Sequence, residues 1–283
     1  MLDQTALNAF IRSALAEDIG SGDHSTLASI PADTRGSAVL KIKEDGILAG
    51  MEVAEAIFKW LDMFTVFKAF KQDGEAMKAG EVAFEVTAAV HSLLMGERLV
   101  LNCMQRMSGI ATLTHQYTEK LKGYHTRILD TRKTTPNFRM LEKEAVRIGG
   151  GVNHRMGLYD MIMLKDNHID FSGGITAAVT KTVAYLKEKQ LPLKIEVETR
   201  TLEDVREALA TGHVDRIMLD NFSPDQIAEA LKIINGKVET EASGGINLDT
   251  LVDYAKTGVD FISVGAIIHH AVSLDLSLKA IIL

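Results

Sequence analysis

The spacing of apolar residues changes character near the middle of this 283-residue chain. Residues 5–17 carry Leu7, Phe10, Ile11, Ala14 and Leu15 at helical spacing, and a polar, glycine-bearing turn over 18–26 ends the run. Short strands are predicted over 36–43 and 46–50, then a helix over 51–61. Two further strands, 64–70 and 81–87, are separated by turns at Asp73-Gly74-Glu75 and Ala79-Gly80. This first region reads as α+β with mostly antiparallel pairing. A long helical stretch over 91–122, with Leu94, Leu99, Leu101, Met104, Met107 and Ile110 and a break expected at Gly109, links it to the rest.

Beyond that helix the grammar alternates. Strands are predicted over 126–130, 158–165, 193–198, 216–220, 238–243 and 260–265, with helical patterns in the gaps, for example 202–210, 224–234 and 248–257. Alternation of this kind implies parallel pairing, and so many consecutive units suggest a β/α barrel. A doubly wound open sheet is the alternative, and it needs a point where the connections reverse.

Composition narrows the function class. A hydrophobic fraction of 46% and a charged fraction of 24% are those of an ordinary soluble enzyme, and a net charge of -7 argues against a nucleic-acid surface. The single cysteine, Cys103, sits in an apolar helical pattern; it excludes an internal disulfide framework and fits a reducing compartment. The first residues lack a basic segment followed by an apolar one, and no window is apolar enough to span a bilayer, so a cytoplasmic location and no membrane partner are expected.

Against this acidic background, positive charge is concentrated in one segment. Arg132 and Lys133 lie in residues 130–136, His154 and Arg155 follow the three glycines 149–151, and Lys165 closes the apolar run 161–164. Cations held this close repel one another unless carboxylates or phosphates lie between them, so a small, densely anionic ligand is expected. Nearly every predicted strand ends in a group that can touch a ligand: Asp130 with Arg132 and Lys133, Lys165 with Asp166, Glu198, Asp220 with Asn221, Ser243-Gly244-Gly245, and Gly265-Ala266. In a parallel barrel these ends share one rim.

The bland readings are a solvated turn for Arg132 and Lys133, a tight turn for His154 and Arg155, and a structural hydrogen bond for His168, which has no second histidine at ligand spacing. Glu196 and Glu198 alternate on one strand and so share a face, which is costly unless cations or a metal sit opposite. Glu198 and Asp220 suit ribose hydroxyls and, directly or through water, a Mg²⁺ ion. The two glycine loops, each followed by a helix, resemble a barrel phosphate site.

These residues, taken in order, resemble the quinolinate phosphoribosyltransferase family, the carboxylating nicotinate-nucleotide pyrophosphorylases. The motifs are Glu17-Asp18 with Gly20, Gly22 and Asp23, then Gly96-Glu97-Arg98 and Ser108-Gly109-Ile110-Ala111-Thr112. Segments 130–136, 149–155 and 165–168, Glu196-Val197-Glu198, Leu219-Asp220-Asn221, 241–245 and Val264-Gly265-Ala266 complete the set. The chain departs from the family at His24-Ser25-Thr26, where paired threonines are usual, and at Asn137-Phe138, where Gly-Leu is commoner.

The resemblance implies an N-terminal α/β sandwich over residues 1–110 and an open α/β barrel over 111–269, the type II phosphoribosyltransferase fold, with the tail 270–283 a candidate to pack back on the sandwich. It implies transfer of phosphoribosyl from phosphoribosyl pyrophosphate to quinolinate with Mg²⁺, giving nicotinate mononucleotide, carbon dioxide and pyrophosphate, in the synthesis of NAD. Lys133, Lys165, Glu198 and Asp220 are then catalytic, and Thr131, Arg132, His154, Arg155 and Lys165 meet the substrates, the dicarboxylate chiefly at Arg132, His154, Arg155 and Lys165. Ser243, Gly244, Gly245, Val264, Gly265 and Ala266 take the 5′-phosphate, and Glu198 with Asp220 hold ribose or metal. A homodimer is implied, with Arg98 reaching in from the partner subunit. The rivals are a paralogous phosphoribosyltransferase acting on another aromatic acid and a non-catalytic nucleotide sensor.

Overall fold

The structure, a computed structural model, describes residues 2–281. In chain order the elements are α1 (Gln4–Ile19), α2 (His24–Ser29), β1 (Arg35–Ile42), β2 (Gly46–Ile47), α3 (Met51–Leu61), β3 (Val66–Ala69), β4 (Ala76–Met77), β5 (Val82–Ala89) and α4 (Val90–Lys120). Then follow β6 (Arg127–Leu129), α5 (Arg139–Ile148), β7 (Ile162–Leu164), α6 (Asp166–Ser172), α7 (Ile175–Lys189), β8 (Ile195–Thr199), α8 (Leu202–Ala210) and β9 (Arg216–Asp220). Last come α9 (Pro224–Ile234), β10 (Glu239–Ser243), α10 (Leu251–Ala255), β11 (Phe261–Ser263), α11 (Ala266–His269) and β12 (Leu276–Ile281).

The described residues form two compact units. The first holds the chain up to His115 with Thr134–Gly150 and everything from Ile267 on; the second holds Gln116–Lys133 and Gly151–Ala266. The division drawn from sequence, between 110 and 111, falls inside α4, which runs through it without interruption.

The first unit is built on an antiparallel sheet in the order β12-β1-β5-β3. The alternating burial of β1 and β5 puts Leu40, Ile42, Phe84 and Val86 into a core with Ala54, Ile57 and Phe58 of α3. Phe58 meets Phe84 edge-on at 6.3 Å. The expected break at Gly109 does not occur. A Cβ there would collide with the carbonyl of Val272, so this glycine serves close approach of two backbones rather than a bend. Part of the turn read over 18–26 is α2, because the Asp23 side chain accepts from Thr26 N at 3.1 Å and caps a helix. Segment 134–150 joins this unit through Glu142 of α5. Buried Glu142 Oε1 accepts from Arg106 Nε and Nη2 at 3.1 and 2.9 Å, and Arg106 also donates to the carbonyls of Ile268 and Ala271. Cys103 is buried and burial pushes its thiol up to about 12, so it is a core residue.

The second unit carries a six-stranded parallel sheet in the order β6-β11-β10-β9-β8-β7. Read from β7, the strands follow the chain to β11 and then close onto β6, so no connection reverses. That is a barrel order, and it removes the doubly wound alternative. The barrel opens only between β6 and β7. On that edge Val152 adds a single parallel bridge to Leu129, donating to Ile128 O at 2.8 Å and accepting from Asp130 N at 3.1 Å. No helix among the described residues is long and apolar enough to cross a membrane.

Candidate active site

Parallel register decides which side chains share the inner face of the second unit. Glu196 of β8 stands beside Arg216 of β9, which stands beside Glu239 of β10. Two residues on, Glu198, Met218 and Glu241 form the next tier, and Asp220 and Ser243 the one after. The result is a polar column inside the barrel, charged from its floor to its rim.

At the rim, Asp220 is fixed on both oxygens. Ser243 Oγ donates to Oδ1 at 2.9 Å and Asn221 Nδ2 donates to Oδ2 at 2.7 Å. Asn221 adopts the left-handed conformation at φ 58°, and its N–H donates to Ser243 O at 2.8 Å. Glu198, half-buried, lies 3.7 Å from Lys165 Nζ. Burial raises its carboxyl above the usual range; Lys165 opposes that and Asp220 and Asp166 add to it. Among the described residues, the ligand atoms that lie close enough together to share one ion are those of His154, Glu196 and Glu241, all within 4.8 Å of one another.

Two arginines stand on the loops after β6 and before β7. Arg155 Nη1 donates to Met161 O at 3.3 Å, and its guanidinium is held below its usual value by burial and then by Arg132. Two guanidiniums that repel across a partly buried gap form a receptor for a small anion. Lys133 is exposed, and its N–H donates to Thr131 Oγ1 at 3.1 Å. Arg98 lies on the exposed side of α4, in the first unit, and is not among the groups brought together here.

His154 is not turned to the rim in this conformation. Its side chain is only 5% exposed, with Nε2 at 2.9 Å from Glu196 Oε2 and 3.3 Å from Glu241 Oε2. Arg155 N–H points at Nδ1 at 2.6 Å, a contact that needs Nδ1 without a proton. Burial lowers the imidazole, but Glu196 and Glu241 outweigh it and push the ring up to about 9, which favours a proton on both nitrogens. The geometry is that of the singly protonated ring, with its proton on Nε2 facing the carboxylates. The two acids divide. Burial raises both, but His154, Ser263 and Arg216 outweigh it at Glu241, which stays below the ordinary range. Glu196 is pushed up to about 7 by burial and by Glu241. Neither glutamate was singled out from sequence beyond the need of Glu196 for a cation. The missing signal is Glu241, which meets its partners only once β8 and β10 share a barrel.

The glycine loops differ from one another. Gly244 and Gly245 have φ of 105° and 64°, and α10 begins only at Leu251, so these glycines do not sit at a helix N-terminus as expected. Val264 and Gly265 lead directly into α11, four residues long. His168 makes the structural hydrogen bond expected of it, Nδ1 accepting from Lys165 N at 3.1 Å at the start of α6.

Comparison with known proteins agrees over the full length. Residues 110–279 match the family model described as quinolinate phosphoribosyl transferase, C-terminal domain, and 23–108 match its N-terminal domain. The chain is 45% identical over 288 residues to a chloroplastic carboxylating nicotinate-nucleotide pyrophosphorylase of Arabidopsis thaliana, covering 96% of this chain and 82% of that protein. It superposes on the crystal structure of NadC from Streptococcus pyogenes with a TM-score of 0.92 and 39% identity, covering 100% of this chain and 99% of that one. The nicotinate-nucleotide pyrophosphorylase structure from Francisella tularensis gives 0.88 at 39% identity, covering 99% and 98%. The chain belongs to the quinolinate phosphoribosyltransferase family.

Proposed function

We propose that this protein is a decarboxylating quinolinate phosphoribosyltransferase, a pentosyltransferase of NAD biosynthesis. It joins quinolinate to phosphoribosyl pyrophosphate and releases nicotinate mononucleotide, carbon dioxide and pyrophosphate. The observation that carries this reading is the division of the barrel rim into a paired-arginine side, Arg132 and Arg155, and an acidic side, Glu198 and Asp220, with Lys165 beside Glu198. A dicarboxylate and a ribosyl donor need those two environments next to each other.

The residues act chiefly by positioning and electrostatics. Arg132 and Arg155 hold the quinolinate carboxylates and aim its ring nitrogen at the ribose carbon. As pyrophosphate departs, positive charge grows on that carbon, and Glu198 and Asp220 lie where they stabilise it. Lys133 and Lys165 meet the donor's phosphates, and Thr131 with the loops Ser243-Gly244-Gly245 and Val264-Gly265-Ala266 completes the donor site. Glu198 and Asp220 would also hold Mg²⁺, directly or through water, and the ion would supply charge neutralisation at pyrophosphate. Attack by the ring nitrogen gives a pyridinium, whose positive charge stabilises the carbanion left on the adjacent ring carbon when its carboxylate departs as carbon dioxide. A proton from water then fills that position to give nicotinate mononucleotide.

The working form is a homodimer in which Arg98 of each subunit serves the partner's site, and the location is cytoplasmic. The exposed position of Arg98 on α4 supports the first reading, and a single buried, unreactive cysteine supports the second. The test is steady-state turnover with quinolinate and with nicotinate as acceptors. Release of carbon dioxide from quinolinate together with nicotinate mononucleotide is expected; turnover of nicotinate alone overturns the assignment.

A further inference from the structure

Segment 151–160, which carries Arg155, has almost no regular structure of its own. It contains one bridge, at Val152, has glycines at 151 and 157, and exposes Leu158 and Tyr159. A segment of this kind does not hold a guanidinium in one place unless something fixed grips its backbone. One grip lies just after Arg155, where Asp160 accepts from Met156 N and Gly157 N at 2.7 and 2.9 Å, and the other just before it, at His154. Its N–H donates to Oδ1 of Asp130, a fully buried residue directly after β6, at 2.8 Å. Its ring then turns inward, and Nδ1 takes the N–H of Arg155 at 2.6 Å. The imidazole is therefore a link between the barrel interior and the backbone of Arg155.

What holds the imidazole is a pair of glutamates from two different strands. Glu196 and Glu241 are both fully buried, and their oxygens lie 2.9 and 3.3 Å from Nε2. Glu241 is in turn held by Arg216 Nη1 at 3.2 Å, and the Arg216 guanidinium stacks over Phe261 with 4.4 Å to the ring centroid. Two buried carboxylates are expensive, and an apolar barrel interior of the same volume is as stable or more so. Their presence calls for a task that packing does not supply.

We infer that Glu196 and Glu241 are positioning residues for acceptor binding: they fix the His154 ring, and through its Nδ1 the backbone of Arg155, so that the Arg155 guanidinium is set against Arg132 before quinolinate arrives. The inference rests on the proposed role of Arg155 at the acceptor carboxylate. It assigns the two glutamates no contact with substrate. Preorganisation of this sort lowers the ordering cost of binding and is felt mainly by the ligand that the ordered group touches.

The experiment compares Glu196→Gln, Glu241→Gln, His154→Asn and Arg155→Ala for the KM of each substrate, kcat and thermal midpoint. Glutamine keeps the volume and removes the carboxylate. The expected result is a rise in the quinolinate KM of roughly ten- to a hundredfold for Glu241→Gln, with the phosphoribosyl pyrophosphate KM unchanged. Combining Glu241→Gln with His154→Asn is expected to add nothing to His154→Asn alone, because the two act in series. A merely structural role would move both KM values, or the thermal midpoint alone, and either outcome overturns the inference. If Arg155→Ala leaves quinolinate binding intact, the reading of Arg155 fails instead, and the two failures are distinct. Should a glutamate variant not fold, hydrogen exchange in the unsubstituted protein decides: a slow Arg155 amide supports the link through Nδ1, and exchange as fast as at Leu158 or Tyr159 overturns it.

Discussion

Asn221 and Gly244 occupy adjoining space so tightly that a single carbon does not fit between them. A Cβ on Gly244 would collide with Asn221 Oδ1 and lie 2.9 Å from Asn221 N, at a backbone φ of 105° that disfavours any side chain. Since Asn221 Nδ2 donates to Asp220, Gly244→Ala is expected to move the acid proposed to face the donor's ribose. The substitution is expected to cost about 1–3 kcal/mol of stability and to raise the KM for phosphoribosyl pyrophosphate. Denaturant unfolding and initial-rate kinetics check the two effects separately.

Gly109→Ala tests a different kind of crowding. The added carbon would sit 2.8 Å from the Val272 carbonyl carbon and closer still to its oxygen, in the middle of α4. Helix propensity alone favours alanine by up to about 1 kcal/mol, so a net loss of stability by urea titration shows that backbone approach outweighs propensity. A stabilised variant would remove the close approach as the reason for this glycine.

Arg132→Lys separates charge from shape. Lysine keeps the positive charge but cannot make a forked contact to a carboxylate, so quinolinate affinity is expected to fall by about tenfold or more, a loss of roughly 1.4 kcal/mol. The signature is a rise in quinolinate KM while far-ultraviolet circular dichroism is unchanged. Equal affinity would take Arg132 out of the acceptor site.

Arg98→Ala and Lys165→Ala subunits, each inactive alone, are expected to regain part of their activity when mixed and reassociated, because a heterodimer would contain one site with both residues intact. No recovery after subunit exchange has been demonstrated by mass would argue against a shared site.

Asp260 gives the pH dependence a sign. Burial alone would raise its carboxyl, but Thr240 and His125 outweigh that, Thr240 N and Oγ1 donating to Oδ2 at 2.9 and 2.6 Å, and hold it below the ordinary aspartate range. A depressed carboxyl stabilises the fold when ionised, so its contribution is complete at neutral pH and is lost as pH falls through the folded-state value. The stability gap between the native chain and Asp260→Asn is therefore expected to be widest above about pH 5 and to narrow as acid is added. A gap that does not change with pH would assign the effect to packing.

The parts of this fold that could be read in the sequence are those whose signal is local. β9 is a short, mostly apolar run ending in Asp220, β10 is a polar strand ending in Ser243, and barrel order pairs those two ends as their placement implied. α6 was hidden because Asp166 follows an apolar strand and its cap, the Lys165 N–H to His168 Nδ1 bond, uses a histidine, which is not a usual capping residue. β12 was hidden because a mixed run of Leu276 to Ile281 is a strand only when β1 offers it an edge. The inward turn of His154 was the least legible of all. It depends on Glu241, 87 positions further along the chain, and on a barrel in which β8 and β10 flank β9 and bring their glutamates to the same ring nitrogen.

The pairing of β12 with β1 also sets an order of events during synthesis. Ser37 lies opposite Ile281 and Ile42 opposite Leu276, so the outer strand of the first unit's sheet is made from nearly the last residues described. A ribosome will have delivered α1, β1, β5 and the whole parallel barrel before that strand exists. Until then β1 presents an unpaired edge, which is the part of a nascent sheet most open to pairing with a neighbouring chain. The first unit begins first and is finished last, and its completion is a long-range closure that waits for translation rather than for local folding.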